Sequence, residues 1–576
     1  NKDPEKYSKS KNPKLFKSQS GEWQLITAEK KQILLDNIFG VDIDSQAVEV
    51  TKLSLLLKVL EGESRQTLSH QLKMFHERAL PDLDKNIKCG NSLIGPDFYT
   101  SRQATMFDDE ESYRINVFDW NAEFPEIMKT GGFDAVIGNP PYVRQETLGD
   151  FKNYFQTKYK TYHGVADLYT YFIEKGVLLL KPDGLFSYIV ANKWMRANYG
   201  KPLREWMKQQ HIVEIIDFGD LPVFEKATTY PCILCIANKP PADRFDAVQV
   251  KTLIALDLPN YVPENRYSIK QDSLQNEGWS LTDEKTQKFL NKLNRTGISL
   301  GEYVNNKIYR GILTGLNEAF VIDAETRNNL IKENPGSSEI IKPFLFGRNI
   351  KRYQSPNAEN HLILIPKGWT AQKSGKTKDA WKWLQDTHPG IASHLEPFSA
   401  KAQKRYDKGE YWWELRACDY YGEFEKPKLM LPDISLRGNF SYDSEGSFYC
   451  VNTAYIIPSE DKYLLGILNS SLVSFFYRNI SPAYRGGYLR FIYQYLVQIP
   501  VRSIDLSAQK EKEQHDSMIN LVDKIISLNK QLSATRTAAE KNILQRQIDV
   551  TDKQIDMLVY ELYGLTDEEI KIVKNA

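Results

Sequence analysis

The residues best suited to chemistry are Asn139-Pro140-Pro141-Tyr142, which follow the short apolar run Phe133 to Gly138. Such a run, closed by glycine, reads as a buried strand, and its carboxyl end is where ligands sit in an open α/β sheet. Two prolines in succession stiffen the backbone and remove two N–H donors. The loop is left with carbonyl oxygens and the Asn139 side chain as acceptors, beside the flat face of Tyr142. A rigid acceptor pair with a stacking platform suits a planar group carrying an exocyclic amine, such as a nucleobase.

Other elements must hold that loop. Ile38 to Asp44 reads as a strand ending in acids, followed by a helix from about Ser45 with apolar positions Val48, Leu53, Leu56 and Leu60. An acid at such a strand end can accept both hydroxyl hydrogens of a ribose. Asp42 is assigned that contact, and Asp44 or Ser45 the helix cap. Beyond the loop, Asp167-Leu168-Tyr169 opens a helix through Phe172, Ile173 and Val177. A turn at Lys181 to Gly184 and a strand Leu185 to Val190 follow. Further strands are expected at Ile212 to Phe218 and Cys232 to Ala237, which continues an α/β alternation.

Gly138-Asn139-Pro140-Pro141-Tyr142 after a strand, with these neighbours in this order, resembles motif IV of the gamma-class N6-adenine DNA methyltransferases. Within that class the chain is similar to the Eco57I-like type II restriction-modification enzymes. The resemblance implies a partial Rossmann-like sheet that uses S-adenosylmethionine. It implies that the Asn139 side chain and the Pro140 carbonyl accept the two N6 hydrogens of a flipped adenine. Tyr142 would stack on that base, and Phe224, in a motif VIII-like Val-Phe pair, would cover its other face. Asp42 falls at motif II, and Asn91 and Ser92 in Cys89-Gly90-Asn91-Ser92 at motif III, where the cofactor's adenine amine is held. Phe172 falls where a residue flanks that adenine. No metal is required. The glycine-rich motif I should precede the Asp42 strand, and residues 1 to 37 do not supply it. The expectation is a carboxy-terminal piece of a longer protein whose first strand, motif I and any nuclease lie upstream.

Composition bounds these readings. The chain has 576 residues, 41% of them hydrophobic, with a mean hydropathy of −0.48, as expected of globular protein with several domains. A net charge of +1 makes local clusters of charge the relevant quantity for nucleic-acid binding. Five cysteines without a paired spacing scheme suggest a reducing cytoplasm, and Cys232 and Cys235 read as buried thiols. No apolar run reaches the roughly 18 residues of a membrane span.

Four regions are expected: a catalytic domain over 1–240, a connecting segment over 241–300, a target-recognition domain over 301–505 and a helical hairpin over 506–576. The third is rich in Arg and Lys interleaved with Gly and aromatics, around Gly347-Arg348-Asn349-Ile350-Lys351 and Tyr484-Arg485-Gly486-Gly487-Tyr488-Leu489-Arg490. Such segments offer phosphate contacts and planar surfaces. The region resembles the TaqI-type specificity domain, an α+β target reader, which implies double-stranded DNA as partner and Arg348, Lys351, Arg485 and Arg490 as contacts. In the last region Leu521, Ile525, Leu528 and Leu532, then Leu544, Ile548, Thr551, Ile555 and Leu558, repeat at helical spacing on either side of a turn near Ser533 to Ala538.

Two other readings stay open. Asn-Pro-Pro-Tyr loops also methylate amines in RNA or in protein glutamine, although the long specificity-like region argues against that. A chain without motif I could instead bind DNA only, and guide a partner.

Overall fold

The computed structural model describes residues 3–9, 13–17, 21–61, 81–100, 115–143, 149, 151–224, 229–254, 256–375, 377–481, 483–484 and 486–575. The chain divides into two compact units, one of residues 1–190, 199–215 and 233–243, the other of 191–198, 216–232 and 244–576.

The first unit opens with a small antiparallel ribbon of β1 (Leu15–Lys17) and β2 (Trp23–Leu25). β3 (Gly40–Asp42) and β4 (Ile87–Cys89) then pair in parallel, with Asp42 opposite Cys89. Between them in sequence runs the helix Ser45–Leu60, capped by the Asp44 carboxylate, which accepts the Gln46 N–H. Val48 of this helix is buried as expected, but Leu53 is 57% exposed. Its neighbours Val50 and Leu57 are exposed too, so only one stripe of the helix's apolar residues finds a cover among the described residues.

β5 (Phe133–Gly138) carries the Asn-Pro-Pro-Tyr loop and pairs in parallel with β6 (Leu180–Ala191), with Gly138 opposite Tyr188. β7 (His211–Asp217), β8 (Pro231–Ala237), β9 (Arg244–Gln249) and β10 (Tyr267–Lys270) complete a sheet of order β10-β9-β7-β8-β6-β5. β5 is therefore an edge strand among the described residues. That corrects the expectation of a buried strand, because Asp134, Ala135 and Ile137 are exposed where a second neighbour would cover them. The turn expected at Lys181 to Gly184 lies inside β6, where Asp183 takes φ +66° and the register with β5 shifts. An aromatic cluster of Phe39, Phe118, Trp120, Phe124 and Phe133 sits beside the starts of β3 and β5, with Phe39 and Phe133 ring centroids 6.2 Å apart.

In the second unit the region after residue 300 is α+β. One four-stranded sheet orders Tyr309–Arg310, Ala454–Pro458, Lys428–Pro432 and Ser441–Asp443. Another orders Val321–Asp323, Asn360–Ile363, Ile341–Leu345 and Tyr449–Cys450. A three-stranded sheet pairs Tyr488–Arg490 with both Ile434–Ser435 and Ala483–Tyr484. Helices Gln509–Ala534 and Ala538–Leu562 pack on each other. Ile525, Leu528, Ile548, Thr551 and Ile555 are buried as their spacing predicts. Leu521, Leu532, Leu544 and Leu558 are only partly buried, because Met518, Val522 and Val559 take the inner face instead.

Candidate active site

Sequence dictates the local shape of the loop. A Cβ on Gly138 would come within 2.9 Å of the Tyr188 ring, so only glycine lets β5 lie this close to its neighbour just before Asn139. Asn139 is exposed, and its side chain makes no hydrogen bond among the described residues. Pro140 is buried and Pro141 exposed, which fixes the loop on one side and opens it on the other. The Tyr142 hydroxyl donates to the Ile189 carbonyl oxygen at 3.3 Å, and its ring lies 6.1 Å from that of Tyr169 at a 59° tilt. Tyr169 is fully buried, and its hydroxyl pairs with that of Tyr199 at 2.9 Å, which in turn donates to Asp167 at 3.1 Å. Leu168 N–H donates to the Val143 carbonyl at 2.8 Å and closes the loop onto the helix Tyr169–Leu178. The result is an amide with no partner among the described residues, on a stiff turn beside a half-buried aromatic ring held at its hydroxyl end.

Of the candidate nucleoside residues, Asp42, Asn91 and Ser92 lie at the carboxyl ends of β3 and β4. Asp42 is exposed, and its carboxylate accepts the Asp44 N–H at 2.9 Å, a bond that leaves the second oxygen for a ligand. Gly90 N–H donates to the Asp42 carbonyl at 2.8 Å, which holds the two strand ends together. Asn91 follows directly, and its side-chain oxygen accepts the Leu93 N–H at 3.2 Å, so one lone pair of that oxygen is already engaged. The Ser92 carbonyl accepts the Trp120 indole N–H at 3.1 Å. Phe172, on the helix Tyr169–Leu178, is partly buried against the apolar cluster that includes Leu93, Ile94 and Tyr171. Asp97 fastens the next turn. Burial pushes its carboxyl up, but hydrogen bonds from Lys158 (2.6 Å) and Tyr154 (2.9 Å) hold it below the ordinary carboxylate range. Burial likewise pushes the Tyr154 hydroxyl up to about 12.

The remaining candidates belong to the second unit. Phe224 is half-buried at the end of the described part of the loop after β7. That loop is braced at its base: Asp217 accepts from the Asn192 amide at 2.8 Å and from Gly219 N–H at 3.0 Å, and Asn192 also donates to the Gly219 carbonyl at 3.2 Å. At its turn Asp220 accepts the Gly487 N–H at 3.0 Å. Asn192, Asp217 and Asp220 are not among the site residues expected from sequence, although an Asn just after β6 and two acids flanking Phe218-Gly219 are the signal that marks them.

Of the basic candidates, Arg348, Lys351 and Arg490 are exposed, and Arg485 lies outside the described residues. Arg348 holds its guanidinium 5.4 Å from the Phe346 ring centroid. Their neighbour Arg352 turns inward, donating to both Asp552 oxygens and to the Asn469 carbonyl, so the basic segment is not uniformly a surface feature. Cys232 is buried, and Cys235 is half-buried with its thiol 3.3 Å from the Ser187 hydroxyl.

Residues 36–224 match the Eco57I restriction-modification methylase family, and residues 342–501 match the TaqI-like C-terminal specificity domain. The two matches fall in the order read from the motifs, methylase-like before specificity-like. It is similar to the type II restriction enzyme and methyltransferase RM.Eco57I of Escherichia coli, at 26% identity over 591 residues, covering 94% of this chain and 55% of that protein. It is also similar to the type II methyltransferase M.BstVI of Geobacillus stearothermophilus, at 25% identity over 487 residues, covering 79% of this chain and 77% of that protein. The fold is shared with the type IIL restriction-modification enzyme MmeI, solved in complex with DNA, with a TM-score of 0.53 at 13% identity over 95% of this chain and 73% of that one. The chain therefore spans about half the length of RM.Eco57I. No helix among the described residues is long and apolar enough to cross a membrane.

Proposed function

We propose that this chain is the methyl-transferring and target-reading part of a site-specific DNA methyltransferase of a restriction-modification system, acting on adenine N6 of a base flipped from duplex DNA. The observation that carries the reading is the exposed Asn139 amide, without a hydrogen-bond partner among the described residues, on the Pro-Pro turn beside Tyr142. Adenine N6 is a poor nucleophile because its lone pair is delocalised into the ring. The Asn139 oxygen and the Pro140 carbonyl, as two acceptors, would bind both N6 hydrogens and draw the nitrogen toward tetrahedral geometry, freeing the lone pair for attack. The contribution of the protein is alignment and electrostatics. Stacking on Tyr142 and Phe224 would offset part of the few kcal/mol that extruding a base costs.

S-Adenosylmethionine would supply an electrophilic methyl on sulfur. The donor set fits its nucleoside half: the Asp42 carboxylate for the ribose hydroxyls, the remaining lone pair of Asn91 with Ser92 for the adenine amine, and Phe172 for the adenine face. Arg348, Lys351, Arg485 and Arg490 would contact double-stranded DNA. The name of RM.Eco57I, both restriction enzyme and methyltransferase, supports a nuclease activity in the same system, outside the residues described.

The test is transfer of a labelled methyl group by the full-length protein to duplex DNA, followed by mass spectrometry of the nucleosides. N6-Methyladenine at one recurrent sequence is the expected product. Label appearing in RNA or in protein glutamine, or sequence-specific DNA binding with no transfer, would replace this reading with one of its rivals.

A further inference from the structure

Resting on that reading, we propose that Asp220 is a positioning residue that couples target recognition to capture of the flipped base, through its hydrogen bond to Gly487. The loop after β7 that carries Phe224 is rigid at its base. Asn192, Asp217 and Gly219 form a closed set of three hydrogen bonds, and Leu221 N–H returns to the Phe218 carbonyl at 3.0 Å. Gly219 takes φ +58° to make the turn. Asp220 is therefore presented by a fixed frame four residues before Phe224, and its carboxylate reaches the Gly487 N–H at 3.0 Å.

Gly487 lies in the turn between the paired strands Ala483–Tyr484 and Tyr488–Arg490. Gly486 and Gly487 take φ +78° and +76°, so two successive residues sit in the left-handed region. A Cβ on Gly487 would meet nothing within 4 Å. The demand for glycine there is conformational, and what the conformation achieves is to aim one N–H at Asp220. The same hairpin ends in exposed Arg490, paired across from Ile434, and so belongs to the basic surface assigned to DNA. A shift of this hairpin when DNA is read is passed through one charge-assisted hydrogen bond to the loop that carries Phe224. Neither partner needs to touch the cofactor or the reacting atoms.

The test places a fluorescent adenine analogue at the target position, with the full-length protein and either the cognate site or a site changed at one base. Asp220→Ala should lower the base-capture signal and kcat on the cognate site by about tenfold, the size of one charge-assisted hydrogen bond. It should also narrow discrimination between the two sites, while S-adenosylmethionine binding and the thermal midpoint stay unchanged. Asp220→Asn keeps an acceptor oxygen and should recover most of the loss. Gly487→Ala should reproduce the defect from the other side, and Asp220→Ala with Gly487→Ala should be no worse than either alone. The coupling is overturned if Asp220→Ala matches wild type in capture and discrimination, if Asp220→Asn is as impaired as Asp220→Ala, or if the two losses add. Failure of the wild-type protein to capture or methylate any base would instead count against the function proposed above.

Discussion

At the scale of single residues, the role proposed for Asn139 rests on an open acceptor beside groups that hold its loop. Asn139 offers an acceptor to solvent, whereas Gly138 and the Tyr142 hydroxyl hold the loop. Asn139→Ala should therefore lower methyl transfer by about 10²- to 10³-fold with DNA affinity within a few-fold of wild type, since the lost acceptor acts mainly on the developing transition state. Single-turnover rates beside equilibrium DNA titrations check this, and a parallel loss in both would remove Asn139 from the chemistry. The loop was legible in the sequence because its determinants are local: strand, glycine and two prolines all act within ten residues. The link from Asp220 to Gly487 was not, because its partners stand 267 positions apart and neither residue type is unusual in a loop.

At the scale of elements, the helical hairpin is joined to the specificity-like region by buried charge. Arg352 binds Asp552 through two hydrogen bonds of 2.6 and 2.5 Å, although the basic segment around it reads as surface. The acid that draws it inward lies 200 residues away, so sequence proximity pointed the wrong way. Asp556, one helical turn on, accepts the Ser471 N–H at 2.8 Å and its hydroxyl at 2.6 Å at the start of the helix Ser471–Ile480. Burial pushes the Asp556 carboxyl above its ordinary range, against the pull of Ser471. Between the unfolded carboxyl value of about 4 and the higher folded one, the native state holds more proton than the unfolded state. The stabilising share of this group is thus complete below that window and lost as pH rises through it. Urea unfolding across this range should show wild type losing stability relative to Asp556→Asn as pH rises; a constant difference would mean that Asp556 does not titrate there. The repeat spacing of the two long helices placed Ile525, Leu528, Ile548 and Ile555 correctly. It misjudged Leu521 and Leu558, since spacing alone cannot say which edge of an apolar stripe meets the rest of the unit.

At the scale of the whole molecule, the methylase-like and specificity-like halves make separable contributions to measurement. Arg348 and Arg490 are exposed and distant in sequence from the loop of Asn139, so Arg348→Ala and Arg490→Ala should weaken DNA binding without altering cofactor affinity. If each contacts phosphate, the salt dependence should lose about one unit of slope per arginine, uniformly across sequences. Unchanged affinity and slope in both would place the reading surface elsewhere. The order of the α/β and α+β parts was legible from alternating apolar runs and aromatic-basic loops. That β5 lies at an edge among the described residues was not, because burial depends on which strands lie alongside, and a run such as Phe133 to Gly138 is the same at an edge or in the middle. That edge has a practical consequence for anyone handling residues 1–576 as a purified solution. An edge strand that is open among the described residues, with Ile137 87% exposed, is a template on which a second chain can build, so colloidal behaviour, and not unfolding, should limit how far the protein can be concentrated. Light scattering should rise with concentration while the circular dichroism stays native, and Ile137→Lys should delay that rise; if scattering instead tracks loss of structure, the edge is not its origin.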